Sequence, residues 1–275
     1  MAPTPWSTHM IEFGPDTVTK RFRPGCRERC IREWRALTLL AAHAPGTAPV
    51  PLSVDFNAAE PVVVMSRLDG EPLRGRALGL ARTRALTRTV AELHTALPTH
   101  LLDRVPPRPG RPRAVEKFVH TWAPLIRPGL TGDVARAVDE GLARAAHAAR
   151  EDSTERLPLS VFGPGDGNLA NYLWDGSRVC VVDFEDSGRS DRAFELAEIT
   201  EHVGSWVEQP LDVAAFLRGF DLTSTESSRL RECRRLLALV WLVLLSRDAK
   251  GERRNPPGTV NRQAHWLTGL LQAGA

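Results

Sequence analysis

Hydrophobic and polar positions divide the chain into a strand-rich first part and a mostly helical remainder. Segments 9–13 and 17–22 alternate apolar and polar residues around the turn Gly14-Pro15-Asp16, which predicts two antiparallel strands. Apolar positions at a period of 3.6 predict a helix over 27–44, and the apolar run 62–65 predicts a buried strand. Further helical patterns cover 82–97, 114–150 and 193 to the last residue. Together these patterns favour an α+β fold.

A short hairpin carries the densest group of polar residues in the chain. Residues 172–182 have the pattern of a strand, a tight turn and a returning strand. Because a hairpin brings together the two ends away from its turn, Asn171 and Asp183 should be neighbours, with Asp166 just before them and Glu185 just after. Taken singly, each residue also fits ordinary turn chemistry. Together their oxygen atoms suit Mg²⁺, so the hairpin predicts a phosphotransferase-type metal site.

Two charged residues upstream fall on predicted buried faces. On the second strand Lys20 lies on the apolar side, where an ammonium group is costly unless an anion meets it. Glu33 lies at the edge of the apolar stripe of the next helix, so we expect it to pair with Lys20. The alternatives are a lysine that reaches out to solvent, and a Glu33 that pairs with Arg29 or Arg32.

Composition limits the classes of partner. The 275 residues are 42% hydrophobic, enough for a sizeable core in two lobes, and 36 basic against 33 acidic residues make a mixed surface. We therefore expect no nucleic-acid partner, and the Pro- and Arg-rich stretch 104–113 is interpreted as a solvated loop. The apolar run 236–245 is too short to span a bilayer, and the N-terminus lacks an apolar segment after basic residues. A cytoplasmic protein without a membrane partner is expected.

The segment 165–185 resembles the catalytic core of aminoglycoside phosphotransferases and choline kinase-like enzymes, which are distant relatives of protein kinases. That family carries His-Gly-Asp-x4-Asn and then a strand that ends in Asp-x-Asp or Asp-x-Glu. Asp166 and Asn171 keep the spacing, and residues 183–185 supply the second part. The resemblance implies a two-lobed protein kinase-like fold of the α+β class, with a shortened, β-rich N-lobe at 1–68 and a larger, mostly helical C-lobe at 69–275.

The resemblance further implies an enzyme that transfers the γ-phosphate of ATP to a hydroxyl group of a small molecule, with Mg²⁺ as the metal. Asp166 would accept the proton of the hydroxyl group or orient that group. Asn171, Asp183 and Glu185 would bind the metal, and Lys20 and Glu33 would bind the nucleotide phosphates. Residues 66–68, from Ser66 to Leu68, would form the hinge and contact the adenine through their backbone.

Two positions depart from the family pattern. Pro164 stands where the family has His, and Glu195 stands where the family usually has Asp. A Walker-type phosphate loop is absent, and only Gly14 stands where a glycine-rich loop would precede Lys20. Pro164 and the thin glycine loop favour an alternative function, that of a catalytically weak nucleotide-binding pseudokinase with a regulatory role.

The acceptor site is expected among the C-terminal helices, where acidic residues would bind a cationic substrate. Five side chains are candidates: Glu198, Glu201, Glu208, Asp212 and Asp221. Glu198 and Glu201 lie closest in sequence to the predicted metal site and are the predicted substrate residues. The acceptor class stays open between aminoglycosides, other antibiotics, amino alcohols and sugars, and the donor between ATP and GTP.

Overall fold

A computed structural model describes residues 9–151, 159–248 and 255–273, with a small antiparallel sheet before residue 67 and a mostly helical lobe after it. The sheet has the order β1-β2-β4-β3, and one helix, α1, packs against it. These elements are β1 (Met10–Phe13), β2 (Thr17–Arg21), α1 (Arg27–His43), β3 (Pro51–Asp55) and β4 (Val62–Ser66).

The predicted strands and helix of this lobe agree with the observed ones to within one or two residues. Strand β2 buries Lys20, and the chain buries Phe22 just beyond the strand, as the alternation requires. Helix α1 buries positions three or four residues apart, from Cys30 and Glu33 to Leu37 and Leu40. The face that α1 turns to the sheet therefore carries one acidic side chain into the protein interior.

The second lobe contains two short sheets among its helices. Its elements are β5 (Glu71–Pro72), α2 (Leu80–Thr95), α3 (Thr99–Leu102), α4 (Pro112–Ile126), α5 (Gly132–Glu151), β6 (Ser160–Gly163), β7 (Tyr172–Trp174), β8 (Val179–Val181), β9 (Gly188–Asp191), α6 (Arg192–Glu201), α7 (Val213–Leu217), α8 (Ser224–Asp248) and α9 (Thr259–Gln272). One sheet has the order β5-β7-β8, and the other pairs β6 with β9. The α+β architecture in two unequal lobes is confirmed.

One hydrophobic core runs from the sheet lobe into the helical lobe. It includes Leu37 of α1, Val63 of β4, Leu86 of α2, Tyr172 of β7 and Phe194 of α6, all essentially inaccessible to solvent. A second core lies between α4, α5, α8 and α9. The predicted lobe boundary at 68–69 falls between β4 and β5, where this core is continuous, and it stays a prediction.

The longest helix, α8, contains the apolar run 236–245, which packs in the protein interior. Over the described ranges, the helices are all too short or too polar for a membrane span.

The loop between β6 and β7 crosses directly over helix α6. At Gly167 a Cβ atom would lie only 2.1 Å from the carbonyl oxygen of Glu198 in α6. Helix α6 itself is set at its start by Asp191, whose side chain accepts the backbone N–H of Ala193. The loop and the helix therefore touch through their backbones, and the side chains of the loop are placed by that contact.

Replacing Gly167 by alanine should destabilise the protein, because backbone atoms of α6 cannot move aside for the new methyl group. We expect Gly167→Ala to lower the free energy of unfolding by about 2–3 kcal/mol in urea denaturation. Gly269→Ala is the matched control, since Gly269 lies in α9 with open space around its Cβ position. That control should be neutral or stabilising by up to about 1 kcal/mol. Equal stability of the two variants would contradict the close approach.

Candidate active site

The two lobes enclose a cleft of about 940 Å³, a size suited to a small-molecule site. The sheet lobe contributes Lys20 and Glu33, and the helical lobe contributes Asp166, Asn171 and Asp183. The segment 66–68, predicted as the hinge, also lines the cleft, and the Ser66 hydroxyl oxygen accepts the backbone N–H of Val50.

The ammonium group of Lys20 lies among three carboxylates at the back of the cleft. Its Nζ is 3.0 Å from Glu33 Oε2, 2.6 Å from Asp183 Oδ1 and 2.9 Å from Glu185 Oε2. Only 5% of Lys20 is exposed. The predicted contact between Lys20 and Glu33 is therefore present, and the lysine does not reach solvent.

The alternative partners of Glu33 are engaged elsewhere. Arg29 donates to Glu185 at 2.8 Å, and Arg32 donates to the carbonyl oxygens of Pro107 and Ser187. Glu33 instead accepts a second hydrogen bond, from the backbone N–H of Phe184 at 2.9 Å. Glu33 thus joins helix α1 to the segment that follows the catalytic hairpin.

The charge balance of this cluster is negative. Burial lowers the pKa of Lys20, but the charges of Asp183, Glu33 and Glu185 outweigh it and raise that pKa well above its usual value. Burial, together with the charges of Asp183 and Glu185, raises the pKa of Glu33 despite the opposing charge of Lys20. The lysine is therefore charged at neutral pH, and removing it would leave like charges in contact.

The hairpin places Asn171 next to Asp183, as predicted. The backbone N–H of Val182 donates to the carbonyl oxygen of Asn171 at 2.9 Å. At the other end, Asp175 accepts the backbone N–H groups of Ser177 and Arg178, which closes the turn and lowers the pKa of Asp175.

Asp183 adopts φ of 70°, in the left-handed region that few non-glycine residues occupy. Its side chain is 41% exposed and faces the cleft, although Lys20 contacts one of its oxygens. The chain turns sharply at this residue, and the next backbone N–H, that of Phe184, is the one bound by Glu33.

Asp166 is held by its own loop. Its Oδ1 accepts the backbone N–H of Asn168 at 2.9 Å, and its Oδ2 accepts the Nδ2–H of Asn171 at 3.0 Å. Burial in the cleft, and then the charge of Asp183, raise the pKa of Asp166 to about 6. Because its side chain is still 38% exposed, this carboxylate can both meet a ligand and exchange a proton near neutral pH.

Oxygen ligands for a hard cation come together in the same place. Carboxylate oxygens of Glu33, Asp183 and Glu185 lie within 4.8 Å of one another. Two of them, Asp183 and Glu185, belong to the predicted metal set. The third predicted ligand, Asn171, precedes strand β7 and donates a hydrogen bond to Asp166. A group of carboxylate and amide oxygens fits Mg²⁺.

Glu185 has more partners than the sequence indicates. Besides Lys20, its carboxylate meets His9 Nε2 at 3.1 Å and Arg29 Nη1 at 2.8 Å. His9 accepts the backbone N–H of Arg23 through Nδ1, so its Nε2 carries the proton that faces Glu185. Glu185 therefore connects the segment after the hairpin to α1 and to the residue just before β1.

The predicted substrate residues do not line the cleft. Glu201 is fully buried and bonds to Arg234 and the Trp266 indole, while Glu198 pairs with Arg108. Nearness in sequence is misleading here, because α6 turns these side chains away from the cleft. Another of the five candidates, Glu208, does line it.

Two further residues near Asp166 are missed by the sequence patterns. His202 Nε2 lies 3.6 Å from Asp166 Oδ1, and burial lowers the pKa of His202 to about 3, so the ring is neutral. Arg108, in the loop interpreted as solvated, is only 3% exposed and donates to the carbonyl oxygen of Gly165. That interpretation is wrong at Arg108, because its carboxylate partners lie some ninety residues away in sequence.

Comparison with known families and structures identifies relatives of this arrangement. The model of the phosphotransferase enzyme family matches residues 6–233, and no curated protein matches the sequence significantly.

Several solved structures share the fold over nearly the whole chain. A ternary complex of aminoglycoside phosphotransferase APH(4)-Ia with ADP and hygromycin B is 18% identical, with a TM-score of 0.61 over 98% of this chain and 95% of the other. A choline/ethanolamine kinase family protein from Mesorhizobium loti is 15% identical, with a TM-score of 0.63 over 98% and 86%. The GDP complex of an aminoglycoside 2'-phosphotransferase is 14% identical, with a TM-score of 0.67 over 97% and 92%. The predicted kinase-like fold is confirmed.

Replacing Lys20 by methionine should strongly destabilise the folded protein at neutral pH. Three carboxylates would then face one another without the ammonium, and we expect the free energy of unfolding to fall by about 3–5 kcal/mol. Without Lys20, burial and the charges of Asp183 and Glu185 would raise the pKa of Glu33 further, so the folded protein would bind more protons than the unfolded chain. The loss of stability should therefore shrink as the pH falls from 7.5 to 5.5.

Urea denaturation at both pH values measures this effect. Arg21→Met is the matched control on the same strand, because Arg21 faces outward to an exposed Glu12 and its loss should change stability little. A Lys20→Met protein that is as stable as the control at pH 7.5 would contradict the charge balance described here.

Proposed function

The chain belongs to the phosphotransferase enzyme family, and we propose that it transfers the γ-phosphate of ATP to a hydroxyl group of a small molecule, with Mg²⁺ as the metal. The observation that carries the proposal is the meeting, in one cleft, of the Lys20 cluster with Asp166, whose pKa is about 6. Phosphoryl transfer needs positioning and charge neutralisation more than covalent chemistry from the protein, and this cleft offers both.

The nucleotide end of the cleft is assigned to the sheet lobe. Lys20 would meet the phosphates, and Glu33 would keep its ammonium oriented through the 3.0 Å contact. The backbone of 66–68, at the cleft wall, would contact the adenine. Phosphate oxygens would compete with Asp183 for Lys20, which frees Asp183 for the metal.

The metal end is assigned to Asn171 and Asp183, with Glu185 as the third oxygen ligand. Mg²⁺ bound there would neutralise the charge of the phosphates during transfer. The Arg29 and His9 contacts keep the Glu185 carboxylate at this edge of the cleft whether or not Lys20 stays with it.

Asp166 is assigned to the acceptor. Its carboxylate would orient the acceptor hydroxyl and take its proton as the hydroxyl oxygen bonds to the γ-phosphorus and the bond from that phosphorus to the bridging oxygen breaks. The products would be ADP and the phosphorylated acceptor. Hydrogen bonds from Asn168 and Asn171 hold the two carboxylate oxygens in fixed directions, so the basic lone pairs face one region of the cleft.

The acceptor itself would lie beyond Asp166, against Asn168, Arg74 and Glu208, all in the cleft wall. Glu208 is 37% exposed and lies 3.3 Å from Arg74 Nε. A carboxylate in this position suits an amino group of the acceptor, which agrees with an aminoglycoside or an amino alcohol. Glu208 replaces the predicted Glu198 and Glu201 in this role. The cytoplasmic location stays a prediction.

A second candidate function, a nucleotide-binding pseudokinase, is favoured by Pro164 in place of the family's His. Calorimetric titration with ATP and Mg²⁺ should be paired with a screen of hydroxylated small molecules, read by mass spectrometry for an added phosphate. Binding with phosphorylation of an acceptor is the expected result. Binding without turnover on any acceptor favours the pseudokinase, and failure to bind the nucleotide overturns both functions.

Replacing Asp166 by asparagine should remove turnover and spare nucleotide binding. We expect Asp166→Asn to lower kcat by about 10²–10⁴-fold, because the proton acceptor is lost while the Lys20 cluster is intact. Steady-state kinetics and ATP titration measure the two effects separately. Asp103→Asn, an exposed aspartate outside the cleft, is the control and should behave as wild type. Near-normal turnover of Asp166→Asn would refute its assigned role.

The pH dependence of kcat/KM should report the ionisation of Asp166. A group whose pKa is raised to about 6 is protonated below that pH and then cannot accept a proton. We therefore expect kcat/KM to fall tenfold per pH unit below pH 6, measured at saturating Mg²⁺. An acid limb near pH 4 would instead indicate a fully solvated carboxylate and contradict the surroundings of Asp166.

A further inference from the structure

Arg108 is a buried cation in a loop on the surface of the helical lobe. The loop between α3 and α4 pairs with strand β9, since the N–H of Arg108 donates to the carbonyl oxygen of Arg189 and the N–H of Arg189 donates to that of Pro106. Strand β9 in turn pairs with β6, which leads directly into the loop that carries Asp166. The backbone thus carries Arg108 to the underside of that loop.

The guanidinium group of Arg108 binds three groups on two elements, helix α6 and the loop before Asp166. Nη1 donates to Glu195 Oε1 at 2.6 Å, and Nη2 donates both to Glu198 Oε1 at 3.0 Å and to the carbonyl oxygen of Gly165 at 2.7 Å. Its carbon also lies 5.1 Å from the ring centre of Phe194. A planar group with several fixed donors can hold such a set, whereas an ammonium group cannot reproduce it.

Gly165 is the residue immediately before Asp166, and it is held from two sides. Its φ of +91° suits glycine, and a Cβ there would lie 2.1 Å from the carbonyl oxygen of Asp186. The bond from Arg108 fixes the carbonyl oxygen on the other side. Position 164 is a proline, which has no backbone N–H and no side-chain donor with which to brace the loop.

From this geometry we infer that Arg108 is a positioning residue for phosphotransfer, which holds the Gly165 carbonyl and so fixes the place of Asp166 in a chain that has Pro164 where the family has His. The role of Arg108 in phosphotransfer rests on the proposed function, whereas its contacts with Gly165, Glu195 and Glu198 do not. Glu195 and Glu198 hold the guanidinium group of Arg108 against helix α6.

Three variants test the inference: Arg108→Gln, Arg108→Lys and the control Arg104→Gln, whose arginine lies in the same loop but is exposed. Displacement of Asp166 by Arg108→Gln should lower kcat by about 100-fold, with the KM for ATP within about twofold of wild type because the Lys20 cluster is untouched. Arg108→Lys keeps the positive charge but not the planar set of donors, and we expect kcat to fall by about tenfold. Arg104→Gln should match wild type in both parameters.

A second measurement does not depend on turnover. The backbone N–H of Asn168 donates to Asp166 at 2.9 Å, so its hydrogen exchange, followed by NMR, should be faster in Arg108→Gln than in wild type and Arg104→Gln. A wild-type protein that phosphorylates no acceptor would refute the proposed function, and this exchange measurement would still decide whether Arg108 holds the loop of Asp166.

Folding is checked by circular dichroism, and kcat is expressed per folded molecule. If Arg108→Gln does not fold, Arg108→Lys, which keeps the buried positive charge, carries the kinetic test. A folded variant with wild-type kcat and wild-type hydrogen exchange at Asn168 would overturn the inference and leave Arg108 a purely structural ion pair.

Discussion

Glu33 is a buried acidic side chain at which the two lobes of this protein meet. It is 1% exposed and holds both the Lys20 ammonium and the backbone N–H of Phe184. A buried carboxylate is costly unless it is paired and fully hydrogen-bonded, so α1, β2 and the segment after the hairpin must all be in place together. These three elements form one wall of the cleft, and they meet at the Glu33 carboxylate. The same contacts of Glu33 therefore set both the position of the two lobes and the charge of the site.

A second constraint is the contact between the loop of Asp166 and the backbone of helix α6. Gly167 permits that contact, and the Glu195 and Glu198 carboxylates on the same helix receive Arg108. Removing Arg108 would leave these two buried carboxylates without a positive partner, so the three side chains depend on one another. The loop thus has little freedom to move relative to α6. A carboxylate fixed in this way loses little entropy when it meets a reacting hydroxyl group.

The parts of the site that sequence patterns predict are those built from local rules. Alternation places Lys20 on the buried face of β2, helical spacing places Glu33 on the edge of α1, and hairpin geometry brings Asn171 to Asp183. The predictions that fail concern side chains whose direction is set by tertiary packing. Glu201 is close to the site in sequence yet points into the core, and Arg108 is in a loop rich in proline yet is buried. Both outcomes are decided by partners far along the chain, for which a single sequence carries no signal.

The loss of the family's histidine is the feature that most weakens the case for an active enzyme, and the structure supplies a physical answer to it. Proline at position 164 has neither a backbone N–H nor a side-chain donor for a hydrogen bond to the loop. Arg108 braces the next residue from outside, with a bond of 2.7 Å to the Gly165 carbonyl and two buried carboxylates behind it. Hydrogen bonds to charged groups are stronger than neutral ones, and a shielded guanidinium group retains its charge over the whole physiological pH range. Proline at 164 is therefore compatible with a well-placed Asp166, because what catalysis needs from that loop is a fixed carboxylate, and this chain fixes it by a different route.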